Sequence, residues 1–189
     1  MTYGPEWDGF IEARTSIVKR SGLLADDSPP LNIFEIGCAE GMILHVLSKS
    51  GHDTSGCEMN PYVAQGGIDA LGVKIYPDQF EDIDLPKDHF DIIMSFHTLE
   101  HMCAPREVFQ RINSLLSPTG GVVIEVPTGP EEYPNTDHVQ FFEEDSLRLL
   151  IDTYFHESEI ILNEYPNAKG VRIGSLYGIG RRPKSLSET

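Results

Sequence analysis

Apolar residues along this chain follow two alternating rhythms. The stretches LNIFEIG, DTSGCE, VKIY, FDIIMSF and VVIEVP have strand length and read as five strands. Between and after them, GMILHVLSK, PYVAQGGIDAL, PREVFQRINSLL and EEDSLRLLIDTYF carry apolar side chains at helical spacing. Pro61 and Pro105 open two of these helices, where a missing N–H costs nothing. Gly51 closes the GMILHVLSK helix, and SPTGG ends the one that begins at Pro105. Ahead of the first strand, Trp7, Phe10, Ile11, Ile17 and Val18 give residues 7–24 a helical period that stops near Gly22, before the polar ADDSPP. SEIILNEY and RIGSLYGIG read as two last strands.

This alternation predicts an α/β fold, a doubly wound and mostly parallel sheet with helices on both faces. The last two strands are joined too briefly for a crossover. They therefore form an antiparallel hairpin at the C-terminal edge and bring the sheet to seven strands. Residues 1–189 read as one domain, with 1–28 as an N-terminal helical extension and 182–189 as a flexible tail.

Composition narrows the class of partner. Fourteen Lys and Arg against thirty Asp and Glu leave a net charge of −16. Nucleic acid calls for the opposite, a basic face. No apolar run approaches the ~20 residues of a membrane span, and MTYGPEWDGF lacks the basic-then-apolar order of a secretion signal. Cys38, Cys57 and Cys103 are odd in number and scattered, which suits free thiols in a reducing compartment. The expectation is a cytoplasmic protein acting on a small molecule, without membrane or nucleic-acid partners.

In an open parallel sheet, ligands bind beyond the carboxyl ends of the strands. The first strand–helix turn reads EIGCAEG, Glu35 to Gly41. A dinucleotide fingerprint, G-x-G-x-x-G, would need glycine where Ala39 and Met42 stand. The spacing is instead acid-x-G-x-G-x-G with Ala39 in the middle place. That resembles the first motif of class I S-adenosylmethionine-dependent methyltransferases. PDQFEDIDLP resembles the family's adenine-contacting segment, although Gln79 stands where the family more often has Asp. FDIIMSFHTLEHM, LLSPTGGVVIEVP and DHVQFFEEDSLRLLIDTYF resemble its later segments, so the match covers roughly residues 30 to 165.

The resemblance implies a Rossmann-like fold with S-adenosylmethionine as cofactor. It places cofactor binding at Glu35, Gly37, Cys38, Ala39, Gly41, Glu58, Met59, Gln79, Phe80 and Phe96. Physical chemistry agrees with several of these. Gly37 allows a sharp turn and close backbone approach. The helix N-terminus behind it favours a carboxylate, and Glu58 can accept hydrogen bonds from both ribose hydroxyls.

Directly after the fourth strand, SFHTLEHM sets His97, Glu100 and His101 close together, and the loop behind the fifth strand carries Asp137 and His138. Loops at this end of a sheet commonly contact substrate. Ubiquinone-biosynthesis O-methyltransferases and small-RNA terminal 2′-O-methyltransferases resemble this detail, with E-x-x-E-H after strand four holding a divalent metal. The RNA enzymes add a histidine in a D-H-x-F-like segment. Here His97 replaces their first Glu. The resemblance implies a metal on His97, Glu100, His101 and His138, and three histidines with one carboxylate suit zinc, iron or manganese better than magnesium. One helical turn would aim His97, Glu100 and His101 the same way. Without metal, His101 and His138 serve as base and positioning groups, with an unperturbed imidazole pKa near ~6.5. His45, His52, His89 and His156 are expected to be structural or surface residues.

These readings converge on a methyltransferase that modifies an oxygen of a small molecule. Two alternatives remain at this point: a cofactor-binding partner or regulatory subunit without transfer activity, and an RNA 2′-O-methyltransferase. No large insertion supplies a lid. A homodimer could complete the pocket, and the N-terminal helix, through Tyr3, Trp7 and Phe10, is expected to fold over the cofactor side.

Overall fold

The computed structural model describes residues 5–128, 137–166, 172–185 and 187. Helix α1 (Pro5–Arg20) precedes β1 (Asn32–Ile36), α2 (Met42–Lys49), β2 (Asp53–Cys57), α3 (Pro61–Leu71) and β3 (Lys74–Tyr76). There follow β4 (Phe90–Phe96), α4 (Pro105–Leu115), β5 (Leu116–Thr128), α5 (Glu144–Tyr154), β6 (Phe155–Pro166) and β7 (Arg172–Pro183). Short 3₁₀ turns stand at Phe80–Asp82 and Leu99–His101.

The seven strands order as β3-β2-β1-β4-β5-β7-β6. The pairs from β3 through β5 are parallel, and β7 runs antiparallel to both β5 and β6. The order reverses between β1 and β4, and a crevice opens there at the carboxyl ends of the strands.

Successive residues of a strand face opposite sides, so each strand feeds two cores. Ile33, Ile92 and Val123 pack with Val18 of α1, Leu44 of α2 and Ala64 of α3. Phe34, Ile93 and Val122 pack with Ile112 of α4 and Ile151 of α5. Val18 is fully buried and Ile17 nearly so. Burial of such a side chain contributes about 1.5–3 kcal/mol, which anchors the C-terminal half of α1 on the sheet. Local chemistry sets several helix ends. The Asn60 side chain accepts from the amides of Tyr62 and Val63, with Pro61 following, and Gly72 closes α3 at φ 67°.

Two boundaries differ from the sequence reading. SPTGG lies inside β5 rather than in a loop, because Leu116 already pairs with Phe90. A register shift between Phe90 and Ile92 absorbs the exposed Pro118 and Thr119. Arg182 and Pro183, read as tail, extend β7 because Pro183 pairs with Phe155, where β6 begins directly after α5. No helix among the described residues is long and apolar enough to cross a membrane.

Candidate functional site

Two neighbouring cavities occupy the crevice. The first, about 460 Å³, is bounded by Gly37, Glu58, Met59, Gln79 and Phe80, with His97 and His101 toward β4. The second, about 410 Å³, is bounded by Phe10 and Arg14 of α1 together with Glu35, Cys38, Ala39 and Phe96. Gly37 and His97 border both.

Nine of the ten residues assigned to the cofactor line one cavity or the other. Gly41 lines neither; it stands at the N-cap of α2 with φ 73°. The Phe10 ring borders the second cavity and is 59 % exposed. Tyr3 and the side chain of Trp7 lie outside the described residues.

Gly37 has φ 70°, and a Cβ there would lie 2.3 Å from Thr98 Oγ1. Gly37→Ala is therefore expected to destabilise the fold by about 2–4 kcal/mol, from the left-handed backbone and the forced shift of Thr98 together. Thermal unfolding with an unchanged midpoint would refute this. Glu58 Oε1 accepts from Asn60 N at 2.8 Å and Oε2 from Ala39 N at 3.3 Å. An ionised carboxylate offers about four lone-pair sites, so these two amides leave acceptor capacity on a side chain that lines the cavity.

Glu35 is buried, and its Oε2 has no hydrogen-bond partner. Burial pushes its pKa up to about 8, only partly offset by the charge of Arg14. Burial likewise raises the Cys57 thiol to about 12 and moves Cys38 in the same direction, so neither is a reactive thiolate.

Next to His101, the turn after β4 and the segment 137–140 are stitched together by backbone hydrogen bonds. Val139 N and Gln140 N donate to Glu100 O at 2.9 and 3.0 Å. His101 Nδ1 lies 2.9 Å from Asp137 O. A carbonyl only accepts, so Nδ1 carries the hydrogen, and in a neutral ring the lone pair is then on Nε2. The His101 and His138 ring centroids are 4.7 Å apart, nearly perpendicular. Glu100, His101 and His138 each offer a ligand atom, and these atoms lie within 4.8 Å of one another. Glu100 is 1 % exposed, and neither carboxylate oxygen has a hydrogen-bond partner.

His97 stands outside this group. It has a left-handed backbone, φ 51°, and the 3₁₀ turn begins only at Leu99. His97, Glu100 and His101 therefore do not share one α-helical face, and the four-residue spacing does not align the two imidazoles. His97 Nε2 instead lies 3.2 Å from Glu125 Oε1 and 3.3 Å from Ser175 Oγ. Nδ1 is 3.4 Å from Glu100 Oε1, at ion-pair range but without hydrogen-bond geometry.

Glu125 also accepts from Arg14 Nε at 2.8 Å and from the Tyr177 hydroxyl at 2.7 Å. Burial alone would lower the His97 pKa and raise that of Glu125. At His97 the carboxylates of Glu100 and Glu125 together outweigh burial, and at Glu125 His97, Arg14 and the Tyr177 hydroxyl together do so. His97 rises to about 9 and Glu125 falls to about 2.

A raised imidazole pKa contributes stability that is complete below the ordinary value of 6.5 and is lost as pH climbs through about 9. Denaturant unfolding of the wild type should show that decline, and His97→Gln should lack it. Identical pH profiles for the two proteins would disprove the pairing.

Arg14, Glu125 and Tyr177 were not singled out from the sequence. Only Glu125 left a sign, as a carboxylate inside VVIEVP, a strand otherwise fit for the core. Arg14 and Tyr177 lie in ordinary amphipathic contexts, and nothing local marks them.

Comparison with known proteins extends this picture. A family model described as a methyltransferase domain matches residues 12–154. The ubiquinone biosynthesis O-methyltransferase of Azorhizobium caulinodans is 27 % identical over 124 residues, covering 61 % of this chain and 48 % of that protein. This chain thus spans about half the length of that curated relative. The Haemonchus contortus phosphoethanolamine N-methyltransferase 2, in complex with phosphomonomethylethanolamine and S-adenosylhomocysteine, superposes with a TM-score of 0.75 at 13 % identity. That match covers 92 % of this chain and 53 % of the other. The Burkholderia thailandensis 1,6-didemethyltoxoflavin-N1-methyltransferase, with its namesake compound and S-adenosylhomocysteine bound, gives 0.66 at 17 % identity. Here 97 % of this chain and 92 % of the other are covered. At such identities the structural likeness establishes the fold.

Proposed function

The chain belongs to the class I S-adenosylmethionine-dependent methyltransferases, and from that premise we propose that it methylates an oxygen of a small molecule held against Glu100, His101 and His138. One observation carries this reading. Glu100, His101 and His138 converge, His101 lines the first cavity, and neither oxygen of the buried Glu100 carboxylate has a hydrogen-bond partner. An amine acceptor attacks with its own lone pair, whereas a hydroxyl must lose a proton to become an effective nucleophile. A base at the rim supplies what a hydroxyl needs.

The first cavity suits the adenosine half of the cofactor, with Glu58 accepting from the ribose hydroxyls and Gln79 and Phe80 beside the base. Glu35 and the N-terminus of α2 suit the methionine ammonium and carboxylate. Bound there, the cofactor supplies a methyl group already activated by its sulfonium, so the protein's task is mainly alignment. His101 Nε2 takes the acceptor proton, because Nδ1 is committed to the Asp137 carbonyl. His138, ring against ring with His101, fixes the acceptor's direction.

The same three side chains also fit a divalent ion. Both Glu100 oxygens are buried without hydrogen-bond partners, and bonds of about 2 Å to nitrogen and oxygen suit a group of this size. One carboxylate with two imidazoles favours zinc, iron or manganese. Such an ion would lower the pKa of an acceptor hydroxyl at this rim. His97, engaged with Glu125, is not among the ligands of this reading.

The test combines product identity with ion binding. Labelled S-adenosylmethionine is offered with phenolic, vicinal-diol and amine acceptors, and the methylated atom is read by NMR. Methyl ethers are expected; methylamines alone would reject the oxygen assignment. Calorimetry with Zn²⁺ and Mn²⁺ on chelator-treated protein decides the ion separately. Binding that survives a Glu100→Gln, His101→Ala substitution would place the ion elsewhere.

A further inference from the structure

Glu125 has both carboxylate oxygens committed, each to a different part of the site. Oε2 receives Arg14 Nε from α1, the helix whose Phe10 and Ile11 wall the second cavity. Oε1 receives the Tyr177 hydroxyl from β7 and faces His97 Nε2 at the end of β4. His97 Nδ1 faces Glu100, whose carbonyl holds the amides of Val139 and Gln140 next to His138. An unbroken chain of paired groups therefore runs from the cofactor side to the acceptor side.

Stability alone is a poor explanation for it. Glu125 lies between Ile124 and Val126, both with no exposed surface. A hydrophobic residue in place of a buried ion pair is commonly neutral or stabilising. His97 in addition holds a left-handed backbone, a conformation that costs about 1 kcal/mol or more without glycine. Its amide is held by Glu125 O at 2.9 Å, so the same strand position restrains both backbone and side chain of His97. What the arrangement secures is geometry: two sites on separate segments share one rigid carboxylate.

We propose that Glu125 is a positioning residue that couples the cofactor cavity to the acceptor turn through Arg14 on one side and His97 on the other. A filled cavity seats α1, Arg14 then fixes Glu125, and Glu125 holds His97 and with it the Glu100 turn and the 138–140 segment. The inference rests on the cofactor placement given above, and its test needs neither acceptor nor metal.

Hydrogen–deuterium exchange is followed in the wild type, Glu125→Gln and Arg14→Met, with and without S-adenosylhomocysteine, alongside calorimetric affinities. In the wild type the ligand should slow exchange both in α1 and at the Val139 and Gln140 amides, the latter by about tenfold or more. With each variant saturated by the ligand at the concentration its calorimetric affinity sets, the Val139 and Gln140 amides should cease to respond. An unchanged response in the variants would overturn the coupling, as would a wild type whose turn ignores the ligand. A wild type that binds no S-adenosylhomocysteine would overturn the cofactor placement and the coupling with it. If Glu125→Gln does not fold, Arg14→Met decides by the same criteria, since that side chain is part-exposed on α1.

Discussion

Replacing His101 and His138 together by alanine is expected to cut methyl transfer by about 10²–10⁴-fold, the usual range for a lost general base. S-adenosylhomocysteine affinity should stay within about twofold, because neither imidazole contributes to the ribose or adenine contacts assigned to Glu58, Gln79 and Phe80. The single variants separate the two roles. His101→Ala removes the lone pair on Nε2 and also the bond to Asp137 O, so it should carry most of the loss. His138→Ala leaves that bond in place and should act mainly on acceptor KM. The decisive measurement is single-turnover transfer to whichever acceptor yields product. Undiminished transfer by the double variant would reduce Leu99–His101 to a turn that precedes α4.

Glu58→Ala is expected to weaken cofactor binding by about 1.5–3 kcal/mol, roughly 10- to 150-fold, if its carboxylate takes charge-assisted hydrogen bonds from both ribose hydroxyls. Glu58 also holds two backbone amides, Ala39 N and Asn60 N. Part of any loss could therefore come from a loosened glycine loop. Glu58→Gln separates the causes, since it keeps an oxygen acceptor and the side-chain length while removing the charge. An affinity intermediate between wild type and the alanine variant is expected. Calorimetry showing equal affinity for all three proteins would take Glu58 out of the site. Tighter binding of NAD than of S-adenosylmethionine would contradict the cofactor itself.

Much of the fold was legible because it depends on local patterns. Buried strands appear as short apolar runs, and helices as period-3.6 stretches opened by Pro61 or Pro105. The strict alternation of the two leaves few topologies beyond a parallel sheet. The turn at Glu35–Gly41 was legible for a related reason. A glycine forced to φ 70° under Thr98 is a requirement of the backbone, and such requirements are written in consecutive residues. Even the roles of remote histidines followed from context: His45 Nδ1 bonds Leu71 O and His52 Nδ1 bonds Leu31 N, both to backbone.

The boundaries that shifted were decided by pairing. SPTGG carries turn residues, yet a strand neighbour with a register shift draws it into β5. Arg182 and Pro183 look like tail until Phe155 is found opposite.

The same division runs through the site. Sequence by itself determined the glycine turn after β1, the place of Glu58 directly after β2, and a cluster of histidines and acids behind β4 and β5. It did not determine which of those histidines face one another. That depended on one backbone angle, φ 51° at His97, which turns this imidazole from His101 toward Glu125. Arg14 and Glu125, 111 positions apart, meet because α1 packs on the sheet face where β5 presents its carboxylate. A contact of that kind leaves no periodicity in the sequence. It exists only once the apolar faces of α1 and β5 have been buried together, and burial then brings a charge on each to the same point, where leaving either unpaired would cost several kcal/mol.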